Sequence, residues 1–546
     1  VVLEQIPFQT EEKTMTKSIT AHALKAALKD GREIALLDVR ETGAYSEGHP
    51  LFAVPCAYSR LELDIEKLVP RRATRIVVFD GGEGVAATAA RRLEGMGYSD
   101  VAVLDGGAPG WKAAGYSLFE GVNVPSKTFG EIVEIARHTP RITARDLVEM
   151  KQRGEDMVIV DGRTWDEYRR FNIPGGMSLP NGELVLHIDG VVNSPKTKIV
   201  VNCAGRTRSI IGAQTLIDWG VENEVVALEN GTQGFWLEGI PIEHGADRKA
   251  PQGDTSPAAI AAKQARAKAH AERHGVRYLQ AADVIAAARD TSRTTFLFDV
   301  RTSEEHKTNG LPLFVHAPGG QLQQATDQWV GVKGAHIVLS DNGECVRAPM
   351  VAAWLRQLGH EADILAAGGG ARVELDGAGL APERAATFDA SRIRLKTTST
   401  ADAARMIETG AGVVVDLRGS MPFRDGHIKG ARWSLRPRLA RDLAGIDKPV
   451  VLVADDPGVA ALAALDLAEA GIADVSLLAG GYKAWTSEGR PTEATPNNPP
   501  DGECVDFVFH TLGRNEGNLD AARAYLAWEV GLVDQLDADE RAVFRI

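Results

Sequence analysis

Residues 199–209 read IVVNCAGRTRS, and residues 210–219 continue as IIGAQTLIDW. The first part is a short, unbroken apolar run rich in β-branched residues. The continuation has the spacing of a helix with an apolar face. A strand that runs through a brief loop straight into a helix belongs to a parallel sheet covered on both faces, not to a hairpin. In such sheets ligands bind beyond the carboxyl ends of the strands, and the loop NCAGRTRS stands at such an end.

The same grammar recurs through the chain. About 40 residues before the loop stands IVDGR (159–163), and its Asp-x-Arg returns as LLDVR (36–40), LFDVR (297–301) and VVDLR (414–418). Each is followed by a second apolar run and a loop: IVVFDGGEG, IVVNCAGRT, IVLSDNGEC and VVLVADDPG. Counting 42 positions from Asp38, Asp161 and Asp299 reaches Asp80, Cys203 and Asp341, while 39 from Asp416 reaches Asp455. A third landmark, a strand running into glycine and a helix, reads VAVLDGGAPGW, VVALENGTQGF, DILAAGGGARV and VSLLAGGYKAW. Ordered landmarks at near-constant spacing mark homologous repeats. The fold class predicted is α/β: four tandem domains, each a small doubly wound, mainly parallel sheet flanked by helices. Their spans are 1–122, 123–245, 258–385 and 390–493, followed by a C-terminal extension, 494–546. The segment 244–257, HGADRKAPQGDTSP, reads as a linker, and the Ala/Lys/Arg-rich run 258–275 as an exposed helix. The last ~45 residues read as helical and carry no functional signal.

Bulk properties agree. A chain of 546 residues suits three or four domains at ~150 residues each. The net charge of −13 argues against a nucleic-acid partner. No run is long enough to span a bilayer, so no membrane role is expected. The four cysteines, Cys56, Cys203, Cys345 and Cys504, form no CxxC pair, and the thirteen histidines no HxxxH or HxH cluster. Free thiols, a reducing cytoplasmic setting, no metal and no cofactor are the expectation.

The loop carries the chemistry. Backbone N–H groups at a strand-to-helix turn bind anions, with the helix dipole behind them. A cysteine at that position is expected to be a stronger acid than a free thiol. Arg206 and Arg208 add positive charge, Gly205 lets the backbone curl, and Thr207 and Ser209 offer hydroxyl donors. Arg208, next to the helical run, is the better placed to hold an oxyanion bidentately. The substrate expected is an anion with an atom that a thiolate attacks.

At these residues the chain resembles the rhodanese domain of sulfurtransferases, up to about residue 493. The resemblance rests on the DVR-type motifs, the stretches EGHP and DGHIKGA, the loop CAGRTRS and the closing GG…GW patterns. It implies a thiosulfate sulfurtransferase. Cys203 takes the outer sulfur of thiosulfate or a similar small anionic donor as a persulfide and passes it to cyanide or a thiol. On that reading Cys203 and Arg208 are catalytic, Ala204, Gly205, Arg206, Thr207 and Ser209 bind the donor, and Asp161 and Arg163 support the loop. Two departures stand out: Gly162 replaces an apolar residue of the DVR motif, and Gly205 is third in the loop where many members place glycine fourth. Domains one, three and four lack the cysteine, with Asp80, Asp341 and Asp455 in its place, so they are expected to be catalytically silent. In the third loop Val346 is expected at the position of Arg208. A persulfide carrier serving a sulfur-acceptor protein is the alternative. A cysteine-dependent phosphatase is disfavoured, because its arginine position falls on Ser209.

Overall fold

Every apolar run at a repeat landmark forms a strand in the computed structural model, which describes residues 2–3, 16–366, 372, 374–375 and 393–546. Four five-stranded sheets share one order. In the second, Arg141–Ile142, Val225–Leu228, Lys198–Asn202, Met157–Asp161 and Met177–Ser178 lie side by side. All four of its pairings are parallel. The first (residues 17–104), third (278–365) and fourth (396–478) repeat this order. The third domain's glycine run 368–370 and the boundaries placed at 385 and 390 lie outside the described residues, as does the stretch 4–15.

The sheet is held from both faces, as the unbroken apolar strands require. Ile199 and Val201 pack with Val160, Ala213 and Leu216 on one side. Val200 packs with Ile159, Val226, Leu228 and Phe235 on the other. Alternate residues of one strand thus feed two cores.

Contacts divide the chain into two compact units: the first and fourth sheets with residues up to His510, and the second and third sheets with Thr511–Ile546. In the former, Arg436 reaches Glu62 with two buried bonds of 2.6 and 2.8 Å. In the latter, Trp354 Nε1 donates to Thr215 Oγ1 at 2.9 Å. The Ala-rich run forms the helix Pro257–Arg273, but one face is covered. Ala267 and Ala271 are fully buried, and Ala267 joins a cluster with Val185, Trp219, Val346 and Met350. The expectation of an exposed helix holds on its outer face and not on the other, where small residues let the second and third sheets' helices close on it.

Strand register corrects one assignment. Asp161 pairs with Asn202, so Cys203 is the residue directly after the central strand. Asp38 pairs with Phe79 and Asp299 with Ser340, which places Asp80 and Asp341 at that position. Asp416 pairs with Val453, so the fourth equivalent is Ala454, not Asp455. The glycine turn packed behind the loop agrees. A Cβ on Gly231 would meet the Cys203 carbonyl oxygen, one on Gly107 that of Asp80, and one on Gly481 that of Ala454. Ala454 lies 38 positions after Asp416, so the 39-residue count to Asp455 overshoots by one.

Candidate active site

The Asp-x-Arg motif anchors the loop from below. Arg163 Nε and Nη2 donate to Asp161 Oδ1 and Oδ2 at 2.9 and 2.7 Å, and Nη2 also donates to the Phe171 carbonyl at 2.6 Å. Asn202, just before the cysteine, donates its side-chain amide to Asp161 Oδ2 at 3.0 Å. Both motif residues are buried, so the pair braces the strand end and does not face a ligand. Arg40, Arg301 and Arg418 repeat the grip on their own aspartates.

Gly162 has a local cause. A Cβ there would lie 1.9 Å from Asn181 Oδ1, and one on Gly212 2.6 Å from the same atom. Asn181 is wedged between the two glycines and donates to the Arg208 carbonyl at 2.8 Å, tying the first turn of the loop helix to the neighbouring strand's loop.

Cys203 follows the central strand and precedes the helix Thr207–Trp219. Its side chain is buried, 2 % exposed, and its Sγ stands 3.6 Å from Ser209 Oγ. The amides of Ala204, Gly205 and Arg206 meet no acceptor among the described residues, which leaves the loop a nest of unpaired donors. Behind it, Thr232 and Gln233 donate their backbone N–H groups to the Cys203 and Ala204 carbonyls. The expected acidic thiol is not what this enclosure produces. Burial pushes the Cys203 thiol up from its ordinary range, and the Arg208 charge and the Ser209 donors pull the other way without offsetting it.

The two loop arginines part company. Arg208 forks onto Glu167, Nη1 to Oε2 at 2.8 Å and Nη2 to Oε1 at 2.7 Å. Burial alone would raise Glu167, but Arg208 and Thr164 hold its carboxyl at about 2. Glu167 also accepts from the Thr164 amide and hydroxyl, closing a capping box on the helix Trp165–Arg170. Arg208 stays near enough to act on the thiol's charge. Arg206, by contrast, turns onto Glu131 with two 2.8 Å bonds and also contacts Glu134. The expectation that it binds the donor meets a guanidinium already held by two carboxylates of the helix Val124–Arg137. Thr207 is likewise engaged, donating to Glu529 Oε1 at 2.6 Å.

Three residues at this site left no readable trace in the sequence: Lys127, Tyr525 and Glu529. Tyr525 and Glu529 lie on the helix Leu519–Gly531, which packs over the loop. A Cβ on Gly205 would lie 3.1 Å from the Tyr525 ring and 3.3 Å from Glu529 Oε2. The glycine at the third loop position thus gives the C-terminal helix its room. Glu167 did leave a signal, the capping pattern Thr164-Trp165-Asp166-Glu167.

The loops without a cysteine at this position are filled from within. Asp80 accepts from the Gly82 and Ala86 amides, both at 2.9 Å. Asp341 accepts from the amides of Asn342, Arg347 and Ala348. The third loop is one residue longer than the second, which corrects the assignment of Val346. Arg347 is the counterpart of Arg208 and forks onto Glu305 at 2.8 and 2.9 Å as Arg208 does onto Glu167. It is further held by Glu183 at 2.9 Å and by Asp341 at 3.0 Å. In the fourth loop Asp456 caps the helix through the Gly458 amide, and Pro457 begins it.

Comparison with known proteins agrees with this architecture. The Rhodanese-like domain family matches residues 20–114, 143–238 and 399–488, and the third sheet, outside these segments, has the same strand order. The crystal structure of a thiosulfate sulfurtransferase from Pseudomonas aeruginosa superposes with a TM-score of 0.87 at 40% identity, covering 97% of this chain and 99% of that one. The uncharacterized protein YibN of Escherichia coli K12 is 33% identical over 110 residues, 19% of this chain and 77% of its own. With four sheets of one topology, four Asp-x-Arg anchors and family matches along half its length, the chain belongs to the rhodanese-like domain family of sulfurtransferases.

Proposed function

We infer that this protein moves sulfane sulfur from thiosulfate, or a similar small anionic donor, to cyanide or a thiol acceptor through a persulfide on Cys203. The observation that carries the reading is positional. Of four equivalent places after a central strand, one holds a thiol above a nest of unpaired amides, and the others hold Asp80, Asp341 and Ala454. The likeness to the Pseudomonas aeruginosa enzyme supports thiosulfate as donor.

The chemistry follows from the residues. The Cys203 thiolate attacks the outer sulfur of the donor, and the donor's S–S bond breaks. Sulfite leaves with the bonding electron pair. The nest amides and the partial charge of the helix N-terminus hold the developing anion. Arg208 stabilises the thiolate from its seat on Glu167. The acceptor then attacks the terminal sulfur of the persulfide, and the Cys203 thiolate is regenerated. Asp161, Arg163 and Asn181 keep the loop in register throughout. The units spanning 1–122, 258–385 and 390–493 are scaffold in this reading, and the setting is the cytoplasm.

The test is sulfite release from thiosulfate with cyanide or a thiol present, paired with mass spectrometry of Cys203. Wild type should release sulfite and show one added sulfur atom on Cys203 before acceptor is supplied. Cys203→Ala should do neither, while Cys56→Ala and Cys504→Ala keep both. Wild-type turnover in Cys203→Ala would remove the assignment. The enclosure of Cys203 favours a second reading, a stored persulfide handed to a partner protein. A persistent sulfur adduct without turnover on small acceptors would select it.

A further inference from the structure

Above the Cys203 loop, both loop arginines are already matched by carboxylates, Arg206 by Glu131 and Glu134, and Arg208 by Glu167. Lys127 of the helix Val124–Arg137 is different. It is buried, 6 % exposed, and its Nζ donates to Tyr525 Oη at 2.5 Å. The same ammonium lies 4.7 Å from the Tyr525 ring centre and 5.1 Å from that of Trp528. Among the described residues no carboxylate is within ion-pair distance of it. An ammonium has three donors, and one is used here.

Glu529 stands beside it on the C-terminal helix. One carboxylate oxygen accepts from Thr207, while Oε2, buried and without a hydrogen-bond partner among the described residues, is turned toward Gly205. A buried carboxylate oxygen left unpaired over a nest of amides occupies the ground an incoming anion needs. The Glu529, Arg514, Arg208 and Cys203 charges act on Lys127, and Arg208 and Glu529 act on Cys203. Burial pulls Lys127 down to about 8, with Arg514 and Arg208 pulling the same way and Glu529 opposing, so it remains protonated at neutral pH.

The geometry points to Lys127 as the residue that receives the anionic end of the molecule attacked by Cys203, with Tyr525 and Glu529 of the C-terminal helix as the gate that yields to it. The inference rests on Cys203 being a nucleophile toward an anionic donor. It adds a specificity-determining cation 76 positions before the nucleophile and a gate over 300 positions after it. An anion entering between Lys127 and the nest replaces the Tyr525 hydroxyl at Nζ and displaces the Glu529 carboxylate from Thr207. The helix Leu519–Gly531 then lifts from Gly205.

The test reads the subsite without sulfur transfer. The full chain is alkylated with iodoacetate, an anion, and with iodoacetamide, a neutral reagent of similar size. Modification of Cys203 is followed by mass spectrometry. The readout is the ratio of the two rates, in which any change in thiolate fraction cancels. Lys127→Met should lower the ratio about 10- to 100-fold, the weight of one charge-assisted bond. Glu529→Gln, which preserves the bond from Thr207 but removes the charge, should raise it. An unchanged ratio in Lys127→Met overturns the cation's role. If that variant does not fold, the near-isosteric Glu529→Gln decides, and no rise in its ratio overturns the gate. The two readings separate cleanly. A Lys127-dependent ratio in a protein that releases no sulfite from thiosulfate keeps the anion subsite and discards sulfur transfer. Sulfite release with a Lys127-independent ratio does the reverse.

Discussion

At the scale of single residues, Arg208 stands between a carboxylate and a thiol. Its fork is closed on Glu167, whose carboxyl it holds at about 2, yet its charge also acts on the Cys203 thiol. Arg208→Ala should therefore lower kcat/KM for thiosulfate by one to two decades, from ~1.5–3 kcal/mol of lost charge-assisted stabilisation. Arg208→Lys should recover only part, because a point charge does not reproduce the fork. Steady-state kinetics on the two variants checks this; wild-type activity in Arg208→Lys would show that charge alone suffices, and wild-type activity in Arg208→Ala would remove the role. The pH dependence has a definite sign. A carboxyl depressed on folding stabilises the protein above its unfolded value near 4.5, and that stabilisation is lost as pH falls toward 2. Arg163 behaves otherwise, because it is wholly enclosed with Asp161. Arg163→Ala leaves a buried carboxylate without its partner and should destabilise by ~3–5 kcal/mol in chemical denaturation. A loss no larger than that of an exposed ion pair would mean water reaches Asp161.

At the scale of elements, the C-terminal helix Leu519–Gly531 and the helix Val124–Arg137 share a buried polar seam with the loop. Lys127 in that seam has a folded pKa of about 8 against 10.5 for an ordinary lysine. Between those values the unfolded chain binds more protons than the folded one, so this group makes stability rise with pH across the window. Cys203 and Tyr525, both pushed upward by burial, titrate in the opposite sense, so the comparison must be between proteins. Relative to wild type, Lys127→Met should lose a rise on the order of 3 kcal/mol between pH 8 and 10.5. Urea melts of both proteins at the two pH values measure the difference, and parallel curves would show that Lys127 is hydrated in solution.

At the scale of the molecule, four copies of one sheet differ in what fills the loop. Asp341 satisfies three amides of its own nest, and Arg347 is shared among Asp341, Glu183 and Glu305. Ala348 follows Arg347 where Ser209 follows Arg208, so a thiol there would lack the hydroxyl beside it. In the fourth copy Pro457 removes one amide from the nest, and no arginine follows. Asp341→Cys and Ala454→Cys, each made in a Cys203→Ala background, should release no sulfite from thiosulfate. Activity near wild type from either graft would mean that the cysteine alone makes a working loop.

The sequence by itself determined the repeat, the parallel sheet and the strand-to-helix loop that carries Cys203. These are properties of short segments: an unbroken apolar run must be covered on both faces, and a strand entering a helix exposes free amides. The Asp-x-Arg anchors were legible for the same reason, since both partners lie within three residues of each other. Only the tertiary structure decided the alignment of the third and fourth loops: strand register puts Ala454 after the fourth central strand, and the fork onto Glu305 makes Arg347 the third loop's counterpart of Arg208. It alone turned Arg206 onto Glu131, raised the thiol of Cys203 by enclosing it, and brought Lys127, Tyr525 and Glu529 to one loop. Burial and long-range electrostatics depend on what packs against a segment, and what packs against this loop comes from two helices distant from it in sequence, Val124–Arg137 and Leu519–Gly531.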